Sequence, residues 1–224
     1  MPGPAVDLRE WASPVEEQRQ LGSCTAQAIV GAYELLMNMH YPDQSVDLSR
    51  LFLYYNARKI SGDIDEDIGA YISTGIDAVE TYGICREGLW PYDADKFKVE
   101  PSARAYFDAR RRSISNVYEV TSHDMIIDML DSQRPVVVGV AVYSGFNTIS
   151  NRATTLAMPG RAEEPNGSHA MCIVGYDNAK QLFLVRNSFG DDWGELGYFW
   201  IPYAYADENF SDMWTFDIVL KSNT

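Results

Sequence analysis

Cysteine is scarce in this sequence, whose 224 residues contain only Cys24, Cys85 and Cys172. An odd number of widely spaced cysteines is a poor basis for a disulfide framework, and their usage favours a reducing compartment. Because no Cys-x-x-Cys pair or Cys/His cluster indicates zinc, we expect no metal and no cofactor. We interpret Cys172, inside the apolar run 170–174, as a buried small side chain and assign no role to Cys85.

Long apolar runs are missing as well. No stretch approaches the ~20 residues that a membrane-spanning helix requires. The amino-terminal sequence MPGPAVDLREW lacks the basic start and the apolar core of a signal peptide. We therefore expect no membrane partner, and the compartment stays unassigned, either cytoplasmic or reached by a non-classical route.

Positive charge is scarce, since 18 Lys and Arg against 32 Asp and Glu give a formal net charge of −14. A nucleic-acid-binding surface requires clustered basic residues. We interpret the one basic run, residues 110–112, as a solvated helix end rather than a phosphate contact. The sequence therefore predicts no nucleic-acid partner, and its acidity at most mildly favours basic partners.

Hydrophobic periodicity predicts a helical first half and a strand-rich second half. The predicted helices span residues 24–40, with Ser23 as N-cap, and then 47–59, about 68–82, 101–112 and 122–132. The predicted strands span residues 136–142, 169–176, 181–186, 197–201 and 213–220. Helices followed by strands indicate an α+β fold, or two subdomains that meet near residues 113–120.

Cys24 begins the first predicted helix, directly after Gly22 and Ser23. The positive end of a helix dipole stabilises a thiolate and lowers the pKa of the thiol. The N–H groups at a helix start can also face a developing oxyanion. A cysteine in this position is by itself more often structural, so a partner is needed to make it a candidate nucleophile.

His169 is the histidine best placed to partner Cys24. His40 ends a helix and His123 begins a short one, so we interpret both as surface residues. His169 follows a glycine-containing loop and opens an apolar strand, where its imidazole can reach a cleft and form a thiolate–imidazolium pair. Asn187 ends a later strand; its carboxamide can accept the imidazole N–H and fix the ring, although a plain turn asparagine is the commoner reading.

The sequence contains three segments, QRQLGSC at 18–24, NGSHA at 166–170 and RNSFGDDWGELGY at 186–198, which together resemble the papain family of cysteine peptidases. Residues 18–24 (QRQLGSC) resemble the family's Q-x-x-x-G-S-C nucleophile segment. Residues 166–170 (NGSHA), with VGY at 174–176, resemble its histidine strand. Residues 186–198 (RNSFGDDWGELGY) resemble its N-S-W-G-x-x-W-G-E-x-G-Y segment. Weaker matches at 6–9, 82–84 and 90–92 extend the resemblance over nearly the whole chain, which is identified as a member on this ground.

The resemblance implies a single catalytic domain over residues 1–224 with two subdomains and the cleft between them. The helical left subdomain would span about 13–112 and the β-barrel right subdomain about 113–224, with residues 1–12 crossing over to the barrel. We expect a monomer that acts on a peptide or protein substrate. Because the family's inhibitory prosegment has no counterpart in this sequence, a separate prosegment or a protein inhibitor is a possible further partner.

The resemblance also implies a mechanism. Cys24 would hydrolyse peptide bonds through a thioester, with His169 as general base and acid and Asn187 as the residue that orients it. Gln18 aligns with the glutamine that donates, together with the Cys24 N–H, to the oxyanion. The residues that align with substrate-binding positions are Gly69, Ala70, Tyr71, Ile72, Ser168, Ala170, Phe189 and Trp193.

The sequence departs from the family pattern at four positions around this site. Thr25 replaces the aromatic residue after the nucleophile, and Leu21 stands where many members have a disulfide cysteine. Phe189 replaces the tryptophan that shields the His–Asn hydrogen bond, and Ala70 replaces the second of two adjacent glycines. The aromatic and aliphatic wall of Tyr71 and its neighbour suggests an apolar substrate preference.

Two rival functions remain open at this stage. The same thioester could pass to an amine, as in a ligase or transferase, or the site could act on a side-chain amide as a deamidase. Alternatively, the chain could be a binding module whose site has decayed. The complete set of Gln18, Cys24, His169 and Asn187 argues against the second rival.

Overall fold

A computed structural model describes residues 3–221. The α-helices span Cys24–His40 (α1), Arg50–Ser61 (α2), Ile72–Tyr82 (α3), Ala103–Ala109 (α4), His123–Asp131 (α5) and Tyr203–Asn209 (α6). The β-strands span Ala5–Asp7 (β1), Arg112–Val120 (β2), Val136–Val142 (β3), Gly167–Asp177 (β4), Leu182–Arg186 (β5), Tyr198–Pro202 (β6) and Phe210–Leu220 (β7). The predicted α+β class is confirmed.

Helix α1 is the buried centre of the helical half. Every residue from Thr25 to Met37 is buried, and the helix packs against α2, α3 and β4. A helix that is apolar on almost all sides requires such surroundings. Ser23 occupies the predicted N-cap position, but its side chain makes no cap hydrogen bond. Its hydroxyl lies instead 2.6 Å from the hydroxyl of Tyr92.

Helices α2 and α3 begin later than the periodicity predicts. The Ser49 hydroxyl caps α2 by accepting the Phe52 N–H at 3.1 Å, so the preceding residues remain outside the helix. Before α3, Gly69 has φ +82 and Tyr71 is extended. The first N–H of α3, that of Ile72, donates to Asp212 at 2.7 Å. Residues 68–71 therefore form an extended wall instead of a first helical turn.

The strands form one antiparallel sheet in the order β2-β7-β3-β4-β5-β6, with β1 paired to β4. The ladder between β3 and β4 is uninterrupted from Val136 opposite Ile173 to Val142 opposite Gly167. Strand β2 carries a bulge between Ser115 and Tyr118. β4 therefore lies near the middle of the sheet, where it contacts α1 on one face.

The sheet is open, although the resemblance implies a β-barrel. Residues 154–156 run along the outer edge of β6, where Trp200 N donates to Thr154 O at 2.7 Å and Leu156 N donates to Trp200 O at 2.8 Å. Within residues 3–221 no ladder joins β6 to β2. The edge of β6 is thus occupied by this segment, which leaves no room for ring closure.

The basic run differs from its prediction at one residue. Arg112 is 8% exposed and begins β2, and its Nη1 lies 2.9 Å from Asp108 Oδ2. It is therefore a buried ion-pair partner rather than part of a solvated helix end. The division into subdomains near residue 112 stays a prediction. Among the described residues no helix is both long and apolar enough to cross a membrane.

Candidate active site

A cavity of about 620 Å³ opens between the helices and the sheet. Its lining comes from the start of α1, the end of α2 with the turn after it, the wall before α3 with the first residue of α3, strands β3 and β4, and β7. The lining residues are Cys24, Thr25, Ser61, Asp63, Ile68, Gly69, Ala70, Tyr71, Ile72, Gly139, Ser168, Ala170, Ser211 and Asp212. Six of the eight predicted substrate-binding residues are in this set. The other two, Phe189 and Trp193, are not.

Cys24 is the first residue of α1 and is half-buried at the cavity. Burial alone raises the pKa of its thiol. The hydrogen bond and the charge of His169, together with backbone contacts at Ala170 and Thr25, outweigh this effect, so the pKa of Cys24 lies below its ordinary value of 9.0. A thiolate is the nucleophilic form of cysteine. This thiol is therefore chemically set apart from the other two.

Cys85 and Cys172 are both 0% exposed. Burial raises the pKa of each thiol to about 12. Both remain protonated and inert at neutral pH. The interpretation of Cys172 as a buried small side chain is confirmed.

His169 lies on β4 and is 9% exposed. Its Nε2 lies 2.8 Å from Oδ1 of Asn187, so the ring N–H donates to the carboxamide oxygen. The antiparallel register of β4 and β5, with Cys172 opposite Arg186, carries the two side chains to the same end of the ladder. The Asn187 N–H donates to Gly197 O at 3.0 Å. The orientation of the imidazole is thus fixed by backbone hydrogen bonds on both sides.

Two aromatic rings pack on the histidine, and a third packs on those two. Phe189 stacks on His169 with centroids 5.1 Å apart and an interplanar angle of 28°. Phe146 approaches His169 edge-on at 6.0 Å, and Trp193 approaches Phe189 edge-on at 5.7 Å. The group keeps water from the His–Asn hydrogen bond, which strengthens that bond. Phe146 belongs to a short 3-10 helix after β3, Ser144–Thr148, and no sequence pattern singled it out.

Gln18 lies in the nucleophile loop, which we define as residues 18–24, and is 7% exposed. Its Oε1 accepts the Ser188 hydroxyl at 2.6 Å and its Nε2 donates to Leu21 O at 3.0 Å. These two contacts fix which way the amide points. A primary amide nitrogen carries two N–H groups, so one remains available to a substrate oxygen.

The other histidines differ in their surroundings. His40 is exposed, as predicted. His123 is only partly exposed, with Nδ1 2.5 Å from Asp207 and its ring stacked on Tyr203. It links α5 to α6 and lies outside the cavity.

A family model described as papain family cysteine protease matches residues 3–213. The chain belongs to the papain family. It is therefore a cysteine protease, a hydrolase of a family that acts on peptide substrates. An uncharacterized peptidase C1-like protein of Acanthamoeba polyphaga mimivirus is 40% identical over 210 residues, which cover 88% of this chain and 68% of that protein.

Two further relatives support this assignment. Peptidase 1 of Dermatophagoides pteronyssinus is 29% identical over 202 residues. These residues cover 86% of this papain-family chain and 59% of the length of peptidase 1. The crystal structure of xylellain, a cysteine protease from Xylella fastidiosa, superposes with a TM-score of 0.89 at 32% identity. The superposition covers 97% of this chain and 87% of the xylellain chain.

One departure from the papain pattern has a visible structural role. The Thr25 hydroxyl donates to Ala70 O at 2.6 Å. This bond joins the second residue of α1 to the cleft wall, both of which line the cavity. A larger aromatic side chain at this position could not make the same bond.

Two carboxylates in the cavity were not anticipated. Asp63 and Asp212 both line it, and among the described residues no Lys, Arg or His does. Asp212 accepts the Ile72 N–H at 2.7 Å and the Trp214 indole N–H at 2.6 Å. Both donors are neutral, so its charge is not cancelled. The two acids lie far from the motifs in sequence, and no local pattern marks them.

Proposed function

We propose that the chain hydrolyses peptide bonds through a Cys24 thioester, with His169 as general base and acid and Asn187 as the residue that orients the imidazole. One observation carries the proposal. A thiol that lines the cavity has its pKa lowered by the hydrogen bond and the charge of the adjacent His169 imidazole, which is itself held by the Asn187 carboxamide at 2.8 Å. Nucleophile, base and orienting group are the parts that covalent acyl transfer requires.

In the first half-reaction, the Cys24 sulfur attacks the peptide carbonyl carbon, and the carbonyl oxygen becomes an oxyanion. The Cys24 N–H and the free N–H of Gln18 donate to it. His169 then gives its proton to the leaving nitrogen as the C–N bond breaks, which leaves a thioester and a neutral imidazole.

In the second half-reaction, a water molecule loses its proton to His169 and attacks the thioester carbonyl. The C–S bond breaks, the carboxylic acid leaves, and the thiolate–imidazolium pair is restored. The stacked ring of Phe189 supports both steps because it shields the hydrogen bond that keeps the imidazole in place.

The cavity supports a proposal for the substrate as well. Six of the lining residues would contact the substrate chain: Gly69, Ala70 and Tyr71 of the cleft wall, Ile72 at the start of α3, and Ser168 and Ala170 of β4. Because Asp63 and Asp212 line the same space and no described Lys, Arg or His lines it, we expect a basic side chain to be favoured there by charge attraction. The sequence suggested an apolar substrate preference from Tyr71. Because Tyr71 is 75% exposed at the rim of the cavity, we give more weight to the two carboxylates.

Other aspects rest on the resemblance alone and are proposed on that basis. These are a monomeric state and restraint by a separate prosegment or protein inhibitor. Analytical ultracentrifugation of the purified chain tests the first of them.

The proposed function is tested with Cys24→Ala and the matched control Cys172→Ala. The wild type should take up one equivalent of a thiol-directed epoxide and cleave a peptide library, with basic residues enriched near the cleaved bond. Cys24→Ala should lose both activities, whereas Cys172→Ala should keep them, because its thiol is buried and protonated. Cleavage that persists in Cys24→Ala would refute the assignment.

Mass spectrometry of the products separates the rival functions. Hydrolysis gives a free carboxylate, transfer gives a product that carries an added amine, and deamidation leaves the peptide chain intact. A decayed site would leave the chain unreactive towards thiol probes across pH 4 to 8.

A further inference from the structure

The nucleophile loop, residues 18–24, is held without a covalent cross-link. Leu21 is 4% exposed where many family members have a disulfide cysteine, and the three cysteines of the chain are all free. The loop carries both oxyanion donors, at its first and last residues. Its shape therefore has to be maintained by non-covalent contacts, and the structure provides them from two sides.

On one side, the loop is bound by a carboxylate. The Gly22 N–H donates to both oxygens of Asp67, at 3.0 and 3.1 Å. The same carboxylate accepts the Tyr54 hydroxyl at 2.5 Å, and that hydroxyl accepts the Gly69 N–H at 3.2 Å. Asp67 therefore joins the loop to α2 and to the cleft wall.

The contact requires the absence of a side chain at Gly22. A Cβ at this position would lie 3.0 Å from Asp67 Oδ1 and 3.3 Å from Gly69 N. Both distances are shorter than ordinary van der Waals contact. The carboxylate thus packs directly on the loop backbone, and hydrogen bonds to an ionised acceptor are roughly twice as strong as neutral ones.

On the other side, the loop is bound by a phenol. The Tyr92 hydroxyl donates to Gln18 O at 2.9 Å and lies 2.6 Å from the Ser23 hydroxyl. Gln18 and Ser23 are 7% and 0% exposed. One hydroxyl group therefore fixes the distance between the two ends of the loop.

We propose that Asp67 and Tyr92 are positioning residues that clamp the nucleophile loop at different points and hold its two oxyanion donors at the separation that catalysis requires. Neither residue touches the reacting atoms. The inference rests on the proposed function, because it concerns the geometry of that reaction. A displacement of about 1 Å in such a site can cost about a hundredfold in rate.

The test uses Asp67→Ala and Tyr92→Phe, assayed with a fluorogenic peptide so that kcat and KM are obtained separately. Each variant should lose roughly tenfold to a hundredfold in kcat with a smaller change in KM, because the oxyanion donors act in the transition state. Asp67→Asn should recover most of kcat, since its carboxamide oxygen can still accept the Gly22 N–H.

The chain offers a matched control for each variant. Asp131 likewise accepts one backbone N–H, from Gly3, and one tyrosine hydroxyl, from Tyr176, but lies away from the loop. Tyr106 likewise donates its hydroxyl to a buried side chain, Asn56, at 2.8 Å. Asp131→Ala and Tyr106→Phe should lose stability in thermal melts and keep kcat within about twofold of the wild type.

The outcomes separate the clamp from the proposed function. A wild type that neither turns over nor reacts at Cys24 contradicts the proposed function. An active wild type with kcat unchanged in both clamp variants, or with equal losses in the matched controls, overturns the clamp alone. Loss in only one variant overturns the role of the other residue. If Asp67→Ala does not fold, the comparison is made with Tyr54→Phe, which removes one bond to the same carboxylate and should lower kcat in the same direction.

Discussion

Cys24 and His169 come together from two differently built regions of the molecule. His169 stands on β4, inside an uninterrupted backbone ladder with β3 and beside β5. Cys24 ends a loop that side chains hold in place, chiefly Asp67 and Tyr92. A ladder is formed by backbone groups that every non-proline residue carries. The histidine side therefore tolerates side-chain changes that the cysteine side does not.

This difference predicts that the loop side carries the largest single-residue effect after the reacting groups. Gln18→Ala removes one oxyanion donor and should lower kcat about 10²–10³-fold, which corresponds to about 2.7–4 kcal/mol. Steady-state kinetics on one peptide measures it. The neighbouring Gln20, which is exposed, provides the control, and Gln20→Ala should remain close to the wild type. A loss in Gln18→Ala no greater than in Gln20→Ala would remove the glutamine from the mechanism.

A substitution on the histidine side, at Asn187, should lower kcat less. Asn187→Ala deletes the acceptor of the His169 N–H but leaves the strand and the Phe189 stack in place. We expect kcat to fall about tenfold to a hundredfold, the cost of leaving one buried donor without its partner. Asn178→Ala removes a carboxamide directly after β4, at the end of that strand remote from His169, and should leave kcat unchanged. If Asn187→Ala lost more than Gln18→Ala, the contrast between the two regions would be reversed.

The smallest expected effect concerns the stability of the protein and arises at Glu87, which contacts the clamp residue Tyr92. Glu87 accepts the Tyr92 N–H at 2.5 Å, and burial raises the pKa of its carboxyl from 4.5 to about 7. Burial dominates although the Tyr92 N–H and, to a smaller extent, the charge of Arg50 lower this pKa, and the charges of Asp47 and Glu16 add to the rise. Since the folded chain holds this proton more tightly than the unfolded chain, stability should fall as pH rises from about 4.5 to about 7.

Glu87→Gln removes the titrating group, so the decline in stability over this window should become shallower. Urea unfolding at a series of pH values measures how the free energy of unfolding depends on pH. Glu80→Gln, on the exposed face of α3, is the control. An unchanged slope in Glu87→Gln would show that this carboxyl does not titrate as inferred.

Local sequence patterns predicted the elements that bury a continuous apolar set. Helix α1 spans the predicted residues, as does β3, whose run of β-branched residues suits a central strand. Strand β2 was not predicted, because Ser113, Asn116 and Glu119 interrupt its alternation and its partner, β7, is distant in sequence. Helix α6 was not predicted either; it follows directly after Pro202.

The residues of the candidate site likewise fall into those that the sequence identified and those that it did not. Its central residues were found because each lies in a recognisable segment of sequence. The Phe146 ring, which packs on His169, and the Asp212 carboxylate, which lines the cavity, were not found, since they come from distant elements that only the fold brings to the site. The contact between Asp67 and Gly22 was equally hidden, because a glycine before the nucleophile has more than one explanation. Motifs thus locate the chemistry, while long-range packing determines what surrounds it.

The open sheet has a consequence for the behaviour of the protein at high concentration. An exposed strand edge can pair with the edge of another molecule and start aggregation. In this chain, residues 154–156 occupy the edge of β6, and the bulge in β2, with Asn116 at φ 45, twists the opposite edge. Both ends of the sheet are thereby poor templates for a further strand. The chain remains protected from edge-to-edge assembly without closing its sheet into a ring.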